Sequence, residues 1–305
     1  MAFPTETVYG LGADAENESA VRAMFAAKGR PPDHPVIVHL SDASLMDELA
    51  ADVPPVARRL AAALWPGPMT LVLHRSGRVS ELVTGGLDTV GLRVPSHPIA
   101  QALFKEFGGP IAAPSANRFG RVSCTRAEHV AEELGGRVDL ILDGGECLVG
   151  LESTIIDVSG ETPAILRPGA VTAEQITAVM GVPLDQPSAI APRVSGSLPS
   201  HYAPRARIEI VSVDQLGPRA NQLAAEGKQV AVLCHERPSL SDGIVVLTLP
   251  DTHDGIAQSL YSILRRVDEL GCDVALTTLP IETGLGAAIA DRLRRAAGPR
   301  DGDER

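Results

Sequence analysis

The sequence predicts an α/β protein in two parts, and three observations predict it. Short β-branched runs alternate with stretches of helical period along the chain; a Pro-, Ser- and Gly-rich stretch without period interrupts them at 182–205; and the alternation resumes beyond that gap. Residues 1–181 are therefore expected to form one domain, 182–205 a linker, and 206–305 a smaller α/β domain with a mainly parallel sheet.

The opening residues 3–12 read Phe-Pro-Thr-Glu-Thr-Val-Tyr-Gly-Leu-Gly. A strand-like entry and two hydroxyls about a carboxylate lead to glycines that let bare amides approach a small polar or anionic ligand. A strand followed by an ordinary turn accounts for the same residues. Asn17 is expected to cap a helix whose face carries Val21, Met24 and Phe25 and which ends at Lys28-Gly29. Lys28 suits the negative end of that helix without any ligand. Yet Arg30 follows, and prolines stiffen the chain up to His34, so the two cations also read as a polyphosphate clamp.

Residues 36–40 read as a buried strand in which His39 is more often a satisfied core histidine than a substrate contact. Helices are expected over 42–51 and 54–65, the second with Val56, Leu60 and Leu64 on one face and stopped by Pro66. Strands follow at 70–73 and 90–94. Arg93 lies among apolar neighbours in the latter, a costly position unless its guanidinium meets an anion or a wet cleft. A helix presenting Ile99, Leu103 and Phe107 leads to a strand at 111–113. Pro114 then fixes a turn from which Ser115 and Asn117 can point into one cleft, or cap the next segment. Residues 125–128, from Thr125 to Glu128, have capping-box spacing. Residues 139–142 read as a strand, 153–158 and 164–166 as a hairpin about Gly160 that leaves Arg167 at its end, and 172–180 as a capped helix.

Beyond the linker, strands at 208–211, 229–234, 244–248 and 273–277 alternate with helices near 214–225, 254–270 and 285–297. This part has no glycine-rich phosphate fingerprint and is assigned no nucleotide of its own. Arg292, Arg294 and Arg295 read as the solvated face of the last helix.

Composition narrows the function classes. The formal net charge of −11 and an aromatic content of 3% weigh against a protein that coats nucleic acid, so any phosphate site must be a local basic pocket. No apolar run approaches the roughly 20 residues of a membrane span and no signal segment opens the chain, so a cytoplasmic location is expected. The four cysteines are far apart and suggest buried reduced thiols, with no metal site. No Ser-His-Asp, Cys-His or paired-carboxylate arrangement is apparent. The cations and hydroxyls suit binding of anions and stabilisation of charge at phosphorus.

The opening run, Lys28-Gly29-Arg30 with its prolines, Pro114-Ser115-Ala116-Asn117, Leu151-Glu152-Ser153-Thr154 and Leu166-Arg167-Pro168-Gly169 occur in an order that closely resembles the YrdC-domain family. The likeness is to its threonylcarbamoyl-AMP synthases and covers roughly residues 1–180; Ser200-His201-Tyr202-Ala203-Pro204 extends it into the linker of the two-domain version. It implies a twisted mixed-sheet YrdC-like domain with a basic concave cavity, and a smaller Rossmann-like domain behind it. It implies conversion of L-threonine, bicarbonate and ATP to threonylcarbamoyl-AMP and pyrophosphate, with Mg2+ carried by the ATP, for a tRNA-modifying threonylcarbamoyl transferase complex downstream.

By the same likeness, Thr7, His39, Arg93, Ser115 and Ser153 surround threonine, with Arg93 on its carboxylate. Arg30, His34, Thr89, Asn117, Thr125 and Arg167 hold the nucleotide, Lys28 and Arg30 act on its phosphates, and Tyr202 folds over the site from the linker as a lid. The family usually has another strand and helix before the opening motif, so that element is expected to be missing here. Two other readings share features with this one: a nucleic-acid-binding module, disfavoured by charge, and the carbamoyl-transfer module of hydrogenase maturation factors, whose zinc motifs this chain lacks.

Overall fold

The computed structural model describes residues 1–187 and 191–299. The linker expectation at 188–190 and the tail beyond 299 lie outside the described residues. The chain divides into two compact units. One comprises residues 1–119 with 123–197, the other 120–122 with 198–305. Residues 182–197 of the expected linker thus count with the first unit and 198–205 with the second.

The first unit opens with β1 (Ala2–Phe3), β2 (Gly10–Leu11) and β3 (Ala13–Asp14), and α1 (Glu18–Lys28) follows. Asn17 caps α1 through its side chain, and Gly29 ends it in the left-handed region at φ 64°, where a side chain would be strained. Then come β4 (Ile37–His39), a short 3-10 turn running into α2 (Met46–Leu49), α3 (Pro55–Leu64), β5 (Met69–His74), α4 (Glu81–Thr84) and β6 (Thr89–Arg93). The unit is completed by α5 (Pro98–Phe107), β7 (Ile111–Ala112), α6 (Ala127–Leu134), β8 (Thr154–Asp157), β9 (Ala164–Arg167) and α7 (Ala173–Met180).

Seven of these strands form one mixed sheet in the order β3-β7-β4-β6-β5-β8-β9. Pairs β4/β6 and β5/β8 are parallel, the rest antiparallel. One continuous core under the sheet gathers Leu11, Phe25, Leu40, Leu60, Leu71 and Leu92, among others. Burial of such side chains contributes on the order of 2 kcal/mol each.

Several expectations need correction. The buried face of α5 carries Ala100 and Phe104, with Leu103 half-buried, while Phe107 is exposed. Phe104 packs edge-on against Phe3 at 5.2 Å, so the aromatic pair and not the longest apolar series decides the helix rotation. In α3 the fully covered residues are Ala57, Leu60 and Ala61; Val56 and Leu64 flank them half-buried. Residues 139–142 form no strand: Ile141 makes a single bridge to Ala2, closed by hydrogen bonds Ala2 N–H to Leu140 O and Leu142 N–H to Ala2 O. Thr125 does not cap α6, whose N-cap is Arg126 without a side-chain cap bond.

The second unit contains β10 (Arg207–Ile210), α8 (Val213–Ala225), β11 (Val230–Cys234), β12 (Val245–Thr248), α9 (His253–Glu269), β13 (Val274–Thr277) and α10 (Leu285–Ala296). Its sheet is entirely parallel, in the order β10-β13-β11-β12, as the strand–helix alternation predicts. Arg292 overturns the solvated-face expectation for α10. Its side chain is 0% exposed, pairs with Asp291 at 2.5 Å and lies 5.0 Å from the centre of the Tyr202 ring. A guanidinium can be buried this way because its weakly hydrated face suits an aromatic surface.

Candidate active site

The candidate residues of the first unit gather along one row of the sheet. His39 on β4 pairs with Arg93 on β6; one step along, Leu92 pairs with Leu71 on β5; Thr70 pairs with Ile155 on β8, and Ile155 with Arg167 on β9. Strand register alone therefore brings residues scattered over the sequence to one end of the sheet.

Arg93 is 4% exposed, with hydrogen bonds from Nε and Nη1 and an ion pair without a hydrogen bond at Nη2. Its Nε donates to Gly67 O at 3.3 Å, Nη1 donates to Thr7 Oγ1 at 2.9 Å, and Nη2 lies 2.9 Å from Glu6 Oε1. The ion pair explains how a charge is accepted here, since a buried guanidinium without an opposite charge is strongly unfavourable. Thr7 is in turn held by Thr5, whose hydroxyl also donates to Val8 O at 2.6 Å. The bends of the opening run are thus fixed from inside by its own side chains.

Next along the row, the hydroxyls of Ser153 and Thr70 share a hydrogen bond of 2.8 Å. Arg167 donates from Nη2 to Ser153 O at 2.8 Å and to Ser153 Oγ at 3.1 Å, and from Nη1 to Ser195 O at 2.8 Å. That last bond ties the 193–195 segment over a cleft of about 310 Å³ lined by Pro35, Thr70, Thr89, Ile155, Arg193 and Ser195. Arg30 borders it from outside, donating to Pro35 O at 2.8 Å, with its guanidinium 5.4 Å from the centre of the Phe119 ring. His34 meets the same ring edge-on at 5.1 Å. Partial burial and the Arg30 charge lower its pKa below the ordinary imidazole range.

Lys28 forms a second focus. Its Nζ donates to the carbonyls of Ser115 and Asn117, so the lysine head holds the Pro-Ser-Ala-Asn turn closed. Burial, with the Arg30 charge adding, lowers the Lys28 pKa to about 7, against the opposing influence of Cys124 and Glu133. The turn is also locked to the opening run: Leu11 N–H donates to Pro114 O at 2.8 Å and Ala116 N–H to Tyr9 O at 2.7 Å. Burial, reinforced by the Arg93 charge, holds His39 neutral with a pKa of about 3, and its ring packs against Phe3 and Phe104.

Register and hydrogen bonds thus bring together Thr7, His39, Arg93, Ser153 and Arg167, with Thr89 on the adjoining cleft and Lys28, Ser115 and Asn117 joined through the opening run. Thr125 is fully buried, its carbonyl accepts from Cys147 N–H at 2.9 Å, and the preceding Cys124 carbonyl accepts from Tyr9 N–H of the opening run at 2.8 Å. Tyr202 belongs to the second unit, where it is 1% exposed, stacks on Tyr261 at 5.7 Å and has a φ of 59°. Sequence reasoning missed Glu6, Thr70 and Ser195. Glu6 carried a signal, a lone carboxylate between two threonines in an otherwise apolar run; Thr70 and Ser195 carried none.

Among the described residues no group of three or more His, Cys, Asp or Glu side chains could hold a metal ion. None of their helices is long and apolar enough to cross a membrane.

Comparison with known proteins adds an independent line. Residues 1–169 match the Sua5–YciO–YrdC family, described as telomere recombination. Residues 171–298 match the family described as threonylcarbamoyl-AMP synthase, C-terminal domain. The chain is 43% identical to a threonylcarbamoyl-AMP synthase of Pyrococcus abyssi, over 98% of this chain and 91% of that protein. It is 41% identical to one of Bacillus subtilis, over 98% and 90% of the two chains. A crystal structure of P. abyssi Sua5 complexed with L-threonine superposes with a TM-score of 0.90 at 42% identity, covering 97% of this chain and 89% of that one.

Proposed function

The chain belongs to the Sua5–YciO–YrdC family, and from that premise we propose that it is a threonylcarbamoyl-AMP synthase, joining L-threonine, bicarbonate and ATP into threonylcarbamoyl-AMP with release of pyrophosphate. The observation that carries this reading is the row His39–Arg93–Thr70–Ile155–Arg167, which gathers hydroxyls and two buried guanidinium groups at the end of the sheet where Thr70 and Ile155 line a cleft. The threonylcarbamoyl-AMP synthases among its relatives support the same reading over nearly the full chain.

In the proposed reaction the threonine amino nitrogen forms a bond to the bicarbonate carbon, with loss of water, to give an N-carboxylate. An oxygen of that carboxylate attacks the α-phosphorus of ATP, the bond from that phosphorus to the bridging oxygen breaks, and pyrophosphate leaves with the electron pair. The chain therefore acts as a nucleotidyltransferase. Arg93, oriented by Thr7 and Glu6, faces the threonine carboxylate, and Ser115, Ser153 and His39 complete that pocket. A neutral His39 suits it, because a second cation beside Arg93 would be repelled.

Arg30, His34, Thr89, Asn117, Thr125 and Arg167 form the proposed nucleotide set. Lys28 and Arg30 offset charge on the departing pyrophosphate. Mg2+ enters with the ATP phosphates and neutralises part of their charge. The labile product passes to a tRNA-modifying threonylcarbamoyl transferase in the cytoplasm, without direct tRNA binding by this chain. Incubation with ATP, L-threonine and bicarbonate is expected to yield a product with the mass of threonylcarbamoyl-AMP; AMP and free threonine alone would overturn the proposal.

A further inference from the structure

We infer that the second unit carries a nucleoside-binding site of its own, at the carboxyl ends of its parallel strands. The order β10-β13-β11-β12 makes β13 and β11 neighbours, and the chain leaves them in opposite directions: from β11 towards β12, and from β13 into α10, which packs on β10. At such a switch point the loops diverge and leave a crevice, the general position of ligands in open α/β sheets. A cleft of about 800 Å³, part of it open to solvent, lies there.

Its walls and mouth differ in chemistry. Leu233 on β11 and the N-terminal half of α9, through Ile256 and Leu260, face Ile289 and Leu293 of α10 and make an apolar slot. Polar groups converge from the ends of three strands: His235 just past β11, Asp251 just past β12, and Thr277 and Thr278 at the end of β13. His253, the first residue of α9, joins them at the mouth. Gly286 keeps that corner closed, since a β-carbon there would fall 2.0 Å from Ile281 O and 2.8 Å from His253 Cε1.

This pattern selects a ligand class. No lysine or arginine lines the cleft, so a phosphate gains nothing on entering it. Asp251 accepts hydrogen bonds at the end of a strand adjacent to β11, the arrangement in which a carboxylate takes ribose hydroxyls in dinucleotide folds. The apolar lining suits the base of a nucleoside, and His235 and His253 add imidazoles to the same lining. A nucleoside presents both halves and no charge.

The test is calorimetric titration of the full chain with adenosine, repeated on Asp251→Ala and Leu279→Trp, the latter placing bulk in the cleft wall, and with AMP in place of adenosine. A saturable binding component is expected that each substitution weakens by roughly tenfold or more, while AMP binds that component no more tightly than adenosine. Thermal unfolding and ATP-dependent pyrophosphate release serve as controls and are expected to be unchanged. Absence of the component, its persistence in either variant, or clearly tighter AMP binding there would overturn the inference. Because the readout is binding by the second unit, it stands or falls separately from the synthase reading.

Discussion

Lys28 is the residue whose chemistry depends most on its surroundings. With a pKa near 7 it is largely neutral at pH 8 until an anion arrives. Polyphosphate binding raises that pKa, so ATP binding at pH 8 is expected to take up about one proton. Titration in two buffers of different ionisation enthalpy measures it; no buffer dependence would contradict the role, and Lys28→Met should remove the uptake. The sign for stability is separate. Between about 7 and the unfolded value near 10.5 the unfolded chain binds more protons at Lys28, so this group makes stability rise with pH across that window. His39 works in the acid range. The unfolded chain binds its proton below 6.5 and the folded chain only near 3, so stability is lost as the pH falls through that interval, by up to about 1.4 kcal/mol per unit. His39→Leu should flatten the slope of urea midpoints between pH 7 and 5.

Arg93 shows what one sequence can and cannot reveal at this scale. An arginine among apolar residues announced a buried anion partner, but not that the partner is Glu6 of the same chain. The distinction changes the experiment. Arg93→Ala leaves the Glu6 carboxylate buried without its ion pair and should destabilise the fold by about 3–5 kcal/mol, which confounds any activity loss. Arg93→Lys keeps the charge and loses the fork; the threonine KM is expected to rise roughly tenfold or more with the ATP KM unchanged. Equal rises in both would contradict the threonine assignment.

At the scale of elements, the two ends of α1 were legible because they are local: Asn17 and Gly29 bound it as their types require. Helix rotation was less so. The face of α5 depended on the Phe104–Phe3 contact, between residues a hundred positions apart. The cover of the cleft beside Thr70 and Thr89 was not legible at all, since nothing in Arg193, Val194 and Ser195 predicts a tie to Arg167. That tie makes a prediction. Arg167→Ala should weaken ATP binding and speed tryptic cleavage after Arg193, and saturating ATP should slow that cleavage in the wild type. Identical cleavage rates in the two proteins would show that Arg167 does not hold the segment.

For the whole molecule, the division into two α/β parts followed from the pattern of runs, but the path of residues 120–122 did not. These three residues lie within the sequence of the first unit and pack in the second, where Arg265 Nη2 donates to Val122 O at 2.6 Å and Arg121 approaches Asp268 at 3.7 Å. An isolated 206–305 fragment lacks them and should melt at a lower temperature than the second unit in the full chain. The synthase proposal is a claim about the whole protein. It is tested most directly by pyrophosphate release from ATP, with L-threonine and bicarbonate each omitted in turn. Release that requires both is the predicted result; release that continues without threonine would contradict it.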